Sequence, residues 1–174
     1  MQAPLDISVI AAIVAPPLSG KSYLMNSCRL PYTQDVDAIC MPRSTARLDE
    51  LRSFAKRTNQ WMAYNNEWAS EIKRRVAPGT RIILLPTVGL AEALGARIIH
   101  ISYLERVLWE TYVERKHERL EKHLVHYLTA VQYGGVESLT STEFRRDVVT
   151  AVTQYNKLYE LNVELLTQSV SFFS

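Results

Sequence analysis

The chain reads as an α/β protein: a short parallel sheet of about four to five strands, helices on both faces, and a helical C-terminal third. Two observations carry this. Apolar runs too continuous for a half-exposed sheet, such as Val9 to Val14 and "RIILLPT" at 81–87, alternate with helical patterns. Strands covered on both faces need such runs, and the alternation implies right-handed crossovers in a parallel sheet. Beyond Tyr103 the periodicity is helical almost to the end.

Val9 to Val14 is the first strand, and Ser22 to Ser27 begins a helix that Leu30-Pro31-Tyr32 breaks. "QDVDAIC" (34–40) alternates as a short strand and ends before Met41-Pro42. From Ser44 to Val76 the pattern is helical with a break near Arg57-Thr58-Asn59, and Ala77-Pro78-Gly79-Thr80 stops it. "RIILLPT" is a buried strand, Val88 to Leu94 a short helix closed by Gly95, and "ARIIHIS" (96–102) a further strand. Tyr103 to about Gln132 reads as one charged helix, Gly134-Gly135 punctuates, and Thr140-Ser141-Thr142-Glu143 is a capping box opening a last helix to about Gln168. No run after Gly135 has the pattern of a fifth strand.

Between the first strand and its helix stands Ala15-Pro16-Pro17-Leu18-Ser19-Gly20-Lys21-Ser22, a phosphate-loop pattern, AxxxxGKS, with alanine in place of the first glycine. Strand, loop and helix follow in the order the motif needs. Backbone N–H groups at a helix start bind phosphate oxygens, a lysine reaches the β/γ oxygens, and a Ser hydroxyl joins a Mg²⁺ shell. Ser19, Gly20, Lys21, Ser22 and Tyr23 are therefore the candidate nucleotide-binding residues, with Ser22 a candidate metal ligand. Alanine at position 15 costs little where φ is negative. The prolines remove two N–H donors but leave those around Ser19 to Ser22.

Composition excludes more than it assigns. A net charge of +2, with 47% hydrophobic and 22% charged residues, is that of an ordinary globular chain, too mildly basic to argue for DNA or membrane binding. Cys28 and Cys40 have neither metal-site spacing nor a disulfide framework, which favours a reducing, cytoplasmic setting. Asp6 before the first apolar run, and Gly-Lys-Ser after it, favour a core strand over a signal peptide, and no segment has the length of a membrane span.

With these elements in order, residues 7 to 130 resemble the P-loop nucleoside/nucleotide kinase family, which includes nucleoside-monophosphate, shikimate, gluconate and polynucleotide kinases. The resemblance implies a P-loop kinase-like three-layer sandwich over 1–174, with 44–77 as a helical acceptor-binding insert and 103–133 as a lid-like region. It implies ATP or another NTP with Mg²⁺, and an acceptor that is a nucleoside, a nucleotide or a polynucleotide 5′ end. It gives Lys21 and Ser22 the phosphate-loop roles, Asp35 or Asp37 the acceptor and Mg²⁺ carboxylate, and an arginine of the lid the phosphates. "RIILLPT" ends in Pro86-Thr87 without the Walker B aspartate, so the carboxylates near the second strand carry that duty.

Asp35 and Asp37 lie two apart, so on a strand they face one side, and Asp37, before Ala38-Ile39, is preferred as Mg²⁺ ligand and base. Arg43 either binds an acceptor phosphate or starts a surface helix. In "YLERVLWETYVERKHERLEKH" most charges are helical i,i+4 partners, but phosphoryl transfer needs cations, and Arg115 and Arg119, one turn apart, are chosen with Arg106 behind them. Trp61, Tyr64 and Trp68 make a stripe that is core or, for Trp61 and Tyr64, a stacking wall for an acceptor base. His123 and His126 lack a third ligand and read as surface residues, and His100 as a satisfied core residue. Two functions stay open: a P-loop phosphotransferase, or a nucleotide-binding structural or regulatory module, such as part of a viral or phage assembly, with slow or no turnover. An NTPase switch or motor has less support, for want of a sensor pattern.

Overall fold

The computed structural model describes residues 5–173, and of Ser22 and residues 169–173 the backbone alone. Four apolar residues, Ala11–Val14, form β1 and lie at the centre of a five-stranded sheet. With β2 (Thr33–Asp35), β3 (Ile82–Leu85), β4 (Arg97–Leu104) and β5 (Val136–Ser138), the order is β2-β3-β1-β4-β5. Every pairing is parallel: Ala11 stands opposite Ile82 and Val14 opposite Leu85, while against β4 the register shifts between Ala12 and Ile13. Parallel neighbours need crossovers, and helices supply them.

The pleat divides the core in two. Ala12, Val14, Ile83 and Leu85 point to one face, where α2 (Val36–Ile39), α3 (Ala46–Thr58), α4 (Met62–Arg75) and α5 (Val88–Leu94) pack through Val36, Leu48, Ile72 and Leu90. Ala11, Ile13, Ile82 and Leu84 point to the other. There α1 (Lys21–Ser27), α6 (Arg106–Arg115), α7 (Leu120–Gln132) and α8 (Ser141–Phe173) contribute Leu24, Trp109, Tyr127 and Val152. All eight residues of β1 and β3 are buried, which accounts for their unbroken apolar character. This is the α/β sandwich that the sequence predicts.

Three local expectations are corrected. The second strand stops at Asp35, where the chain turns into α2, because the Asp35 side chain accepts a hydrogen bond from the Asp37 N–H (3.1 Å) and caps the helix. The aspartates thus sit at a strand end and in a helical first turn, not on one side of a strand. The helix expected from Tyr103 to Gln132 is β4 continuing to Leu104 and then two helices parted at His117, whose φ of 55° is left-handed. Arg115 ends α6 and Arg119 caps α7, so they are not one helical turn apart. A fifth strand does exist, three residues long, and is too short to show a period. Gly134, at φ 77°, turns the chain into it. The capping box at Thr140 is present: its hydroxyl accepts from the Glu143 N–H (3.1 Å), and Glu143 accepts from the Leu139 N–H (2.9 Å).

Candidate nucleotide and acceptor site

Out of β1 the Ala15 N–H still donates to Leu85 O (2.9 Å), so the loop leaves from the sheet's centre. Ala15 is outside the left-handed region, which is why the missing glycine is tolerated, whereas Leu18 (φ 65°) and Gly20 (φ 89°) carry the sharp turns. The Trp109 indole of α6 donates to Pro17 O (2.9 Å), pinning a segment whose prolines cannot donate. Helix α1 opens at Lys21 with Gly20 as its N-cap residue.

Lys21 is buried beneath this loop, its Nζ donating to Ala15 O (3.3 Å). A phosphate-contacting lysine is expected to stand exposed in an empty site; here it does not. Burial lowers its pKa, and the charges of Asp35 and Asp37 oppose that fall. Asp35, 4% exposed, spends Oδ1 on the Asp37 N–H, while its Oδ2 has no hydrogen-bond partner among the described residues. Ser19 Oγ, equally buried, has none either. A buried carboxylate oxygen left without a donor is costly, and a hard cation satisfies it. The residues therefore fit Mg²⁺, with Asp35 as the buried carboxylate that would hold it; the Ser22 hydroxyl, expected as a ligand alongside Asp37, lies outside the described side chains. Asp37 is open to solvent on its outer side yet lines the cavity, and partial burial there, then the neighbouring Asp35 charge, raises its pKa, with Lys21 opposing.

Beside the loop opens a cavity of about 200 Å³, bounded by Leu18 and Lys21, by α3 and α4, by Pro86-Thr87 after β3, and by α7. Trp61, Tyr64 and Trp68 form one wall. Tyr64 and Trp68 are at once core and lining: the Tyr64 hydroxyl donates to Pro42 O (2.8 Å) and the Trp68 indole to Cys40 O (2.9 Å), which fixes both rings. Trp61 packs edge-on against His126, with centroids 5.1 Å apart. The reading of His123 and His126 as surface residues is corrected, since both are half-buried in this cavity. Burial lowers the pKa of His123 and takes that of His126 down to about 4, with His123 and Arg52 adding to the fall at His126. His100 is satisfied as expected, at 2.6 Å from Asp147 Oδ2 on α8.

Of the residues singled out from the sequence, the structure gathers Lys21, Asp37, Trp61 and Tyr64 around this cavity. Arg43, Arg106, Arg115 and Arg119 do not line it. Arg43 pairs with Asp49 (2.7 Å) and Arg106 with Glu110 (2.9 Å), while Arg115 lies over Tyr112, 5.7 Å from the ring centroid. Besides Lys21, the lysine and arginine side chains that line it are Arg52, Lys56 and Lys122. For Lys56 one sequence signal existed: on a helix it has no acid three or four residues away.

No protein-family model matches the chain, and no curated protein matches it. Among solved structures it is similar to a gluconokinase from Sinorhizobium meliloti 1021, with 15% identity, 95% of this chain and 99% of that chain covered, and a TM-score of 0.48.

Proposed function

We propose that this chain is a phosphotransferase that binds Mg-ATP, or another NTP, at the Ala15–Ser22 loop and passes the γ-phosphate to an acceptor held in the adjoining cavity. The observation that carries it is that Asp35, buried at the end of β2 within electrostatic reach of buried Lys21, has a carboxylate oxygen with no hydrogen-bond donor among the described residues. The acceptor hydroxyl attacks the γ-phosphorus; the new O–P bond forms as the bond to the β-phosphate oxygen breaks, and the electron pair leaves with the nucleoside diphosphate. Asp37, facing the cavity with a raised pKa, takes the hydroxyl proton. Asp35, more deeply buried, would hold the metal. Mg²⁺, when bound, would supply positive charge that offsets the negative charge of the transferring phosphoryl group.

In this reading Ser19 to Tyr23 supply the loop amides, residues 44–77 present the acceptor's aromatic wall, and residues 103–133 act as the lid. An acceptor nucleoside, nucleotide or nucleic-acid 5′ end brings its base to Trp61 and Tyr64. Arg106, Arg115 and Arg119 enter only through closure of that lid onto the phosphates, and Arg43 only by exchanging Asp49 for an acceptor phosphate.

The test is nucleotide consumption over a panel of acceptors, with binding followed by thermal shift, since a ligand of the folded state raises its melting temperature. Asp37→Asn is expected to slow transfer by ~10²- to 10⁴-fold while Mg-ATP still binds, which is the typical loss for a general base. A wild type that binds Mg-ATP and phosphorylates nothing supports the passive module instead. Pro86-Thr87, a strand end without a carboxylate, favours that second reading.

A further inference from the structure

Two sets of charges meet at the cavity. In one, Lys21 feels Asp35 and Asp37; in the other, Lys56 feels Arg52, Lys122 and Arg43, with Glu118 the acid acting on it. Arg52 and Lys56, four residues apart on α3, share one helix face, and Lys122 comes from α7. Like charges brought together beside apolar rings repel more than they would in bulk water. Among the described residues, neither Arg52 nor Lys56 has an ion-pair partner. Glu118 is shared at 3.7 Å between Lys122 and His123, too long for a hydrogen bond to either. Three cations and one loosely held acid therefore border the aromatic wall of Trp61 and Tyr64. Among the described residues, Glu118 is the acid beside these three cations, so an excess of positive charge remains here.

We infer that Arg52, Lys56 and Lys122 form a recognition site for an anionic group, a phosphate monoester or a carboxylate, carried by the acceptor, and that Glu118 competes with that group for Lys122. The acceptor's body lies against Trp61 and Tyr64, which leaves its reacting hydroxyl toward Asp37. An anion binds such a cluster through charge-assisted hydrogen bonds, which Arg52 can make in bidentate form. The role of acceptor rests on the phosphotransferase reading; the binding of an anion does not.

The chain is titrated, by calorimetry and thermal shift, with inorganic phosphate, with nucleoside 5′-monophosphates beside their nucleosides, and with aldonates beside their aldoses. The anionic member of at least one pair is expected to bind well above its uncharged twin, and which pair responds distinguishes phosphate from carboxylate. Arg52→Ala and Lys56→Ala should each weaken that anion by ~10- to 100-fold, the range of a lost charged hydrogen bond, with the Mg-ATP shift unchanged. Glu118→Gln should tighten it several-fold, a gain that misfolding cannot imitate. Equal binding of the uncharged twins, unaltered anion binding in the Arg52→Ala/Lys56→Ala double variant, or no binding of any anionic probe overturns the site. Unaltered binding in Glu118→Gln overturns the competition. If the wild type binds the anion but shows no Mg-ATP shift, the phosphotransferase reading fails and the anion site stands.

Discussion

Lys21 lies buried, with Ala15 O as its hydrogen-bond partner. Its desolvation weakens any stabilising role, so Lys21→Met, which keeps the length and removes the charge, is expected to leave the melting temperature within a few degrees while abolishing the Mg-ATP-induced rise. A rise equal to that of wild type in Lys21→Met would remove Lys21 from the nucleotide site. His126 yields a pH prediction. Its folded pKa of about 4 lies below the ordinary histidine value of 6.5, so between those values the unfolded chain holds a proton that the folded chain does not. Stability therefore rises with pH across that window and is lost on acidification, by up to about 3 kcal/mol. His123, also lowered, works in the same sense, whereas the raised pKa of Asp37 works in the opposite one. The diagnostic quantity is thus the difference between wild type and His126→Gln in urea unfolding from pH 4 to 7. A difference that does not vary with pH would show that His126 is not held neutral.

At the scale of elements, two neighbouring glycines separate two physical demands. Gly134 needs its left-handed backbone but has open space where a Cβ would stand. Gly135 has no such torsion, yet a Cβ there would meet Ile101 Cγ2 at 2.8 Å, Ala130 O at 3.0 Å and Tyr103 Cδ1 at 3.1 Å. A backbone carbonyl of α7 cannot step aside, so Gly135→Ala should cost about 1–3 kcal/mol as overpacking. It should also loosen β5, seen as faster hydrogen exchange at Glu105, whose N–H donates to Ser138 O (2.8 Å). Gly134→Ala should cost only about 1 kcal/mol and leave that exchange slow. Equal effects on exchange at Glu105 would mean that contact with β4 is not what holds the strand in place.

Across the whole molecule, α8 runs 33 residues and needs fastening well beyond its buried Phe144, Val148 and Val152. Arg81, just before β3, provides it: the guanidinium lies between Tyr32 (3.7 Å) and Tyr159 (3.9 Å) and donates to Glu160 (2.5 Å) and Asn156 (3.3 Å). Asn156 in turn donates to Pro31 O (3.0 Å), and Asn162 accepts from the Leu5 N–H (3.0 Å). Removing a stacked, hydrogen-bonded arginine should cost on the order of 2 kcal/mol. Arg81→Ala is expected to lower the denaturation midpoint and raise exchange along 155–162, and Arg81→Lys should not restore it, because an ammonium cannot stack between two rings. Full protection of α8 in Arg81→Ala would locate the fastening elsewhere. Among the described residues, no helix is long and apolar enough to cross a membrane.

What could be read from the chain alone was whatever short-range chemistry dictates. The apolar runs of β1 and β3 require burial on both faces, Gly95 ends α5 with a left-handed turn (φ 67°), Thr140 and Glu143 cap α8, and Gly-Lys-Ser after a strand makes a helix start. Those signals are complete within a few residues, and Lys21, Asp37, Trp61 and Tyr64 were legible because their motif or spacing is local. Tertiary structure decided the rest. β5 exists because Gly135 fits against Ile101, more than thirty residues earlier, and because β4 offers a free edge. The charged helix after Tyr103 breaks at His117, and the turn closes through the Glu118 N–H bond to Val113 O (3.1 Å). The cations that border the cavity beyond Lys21 are not the arginines of the charged segment but Arg52, Lys56 and Lys122, because only the packing of α3 and α7 around one hollow turns those side chains toward the same space. Spacing along one helix specifies which residues share a face; which face meets a cavity depends on partners distant in the chain.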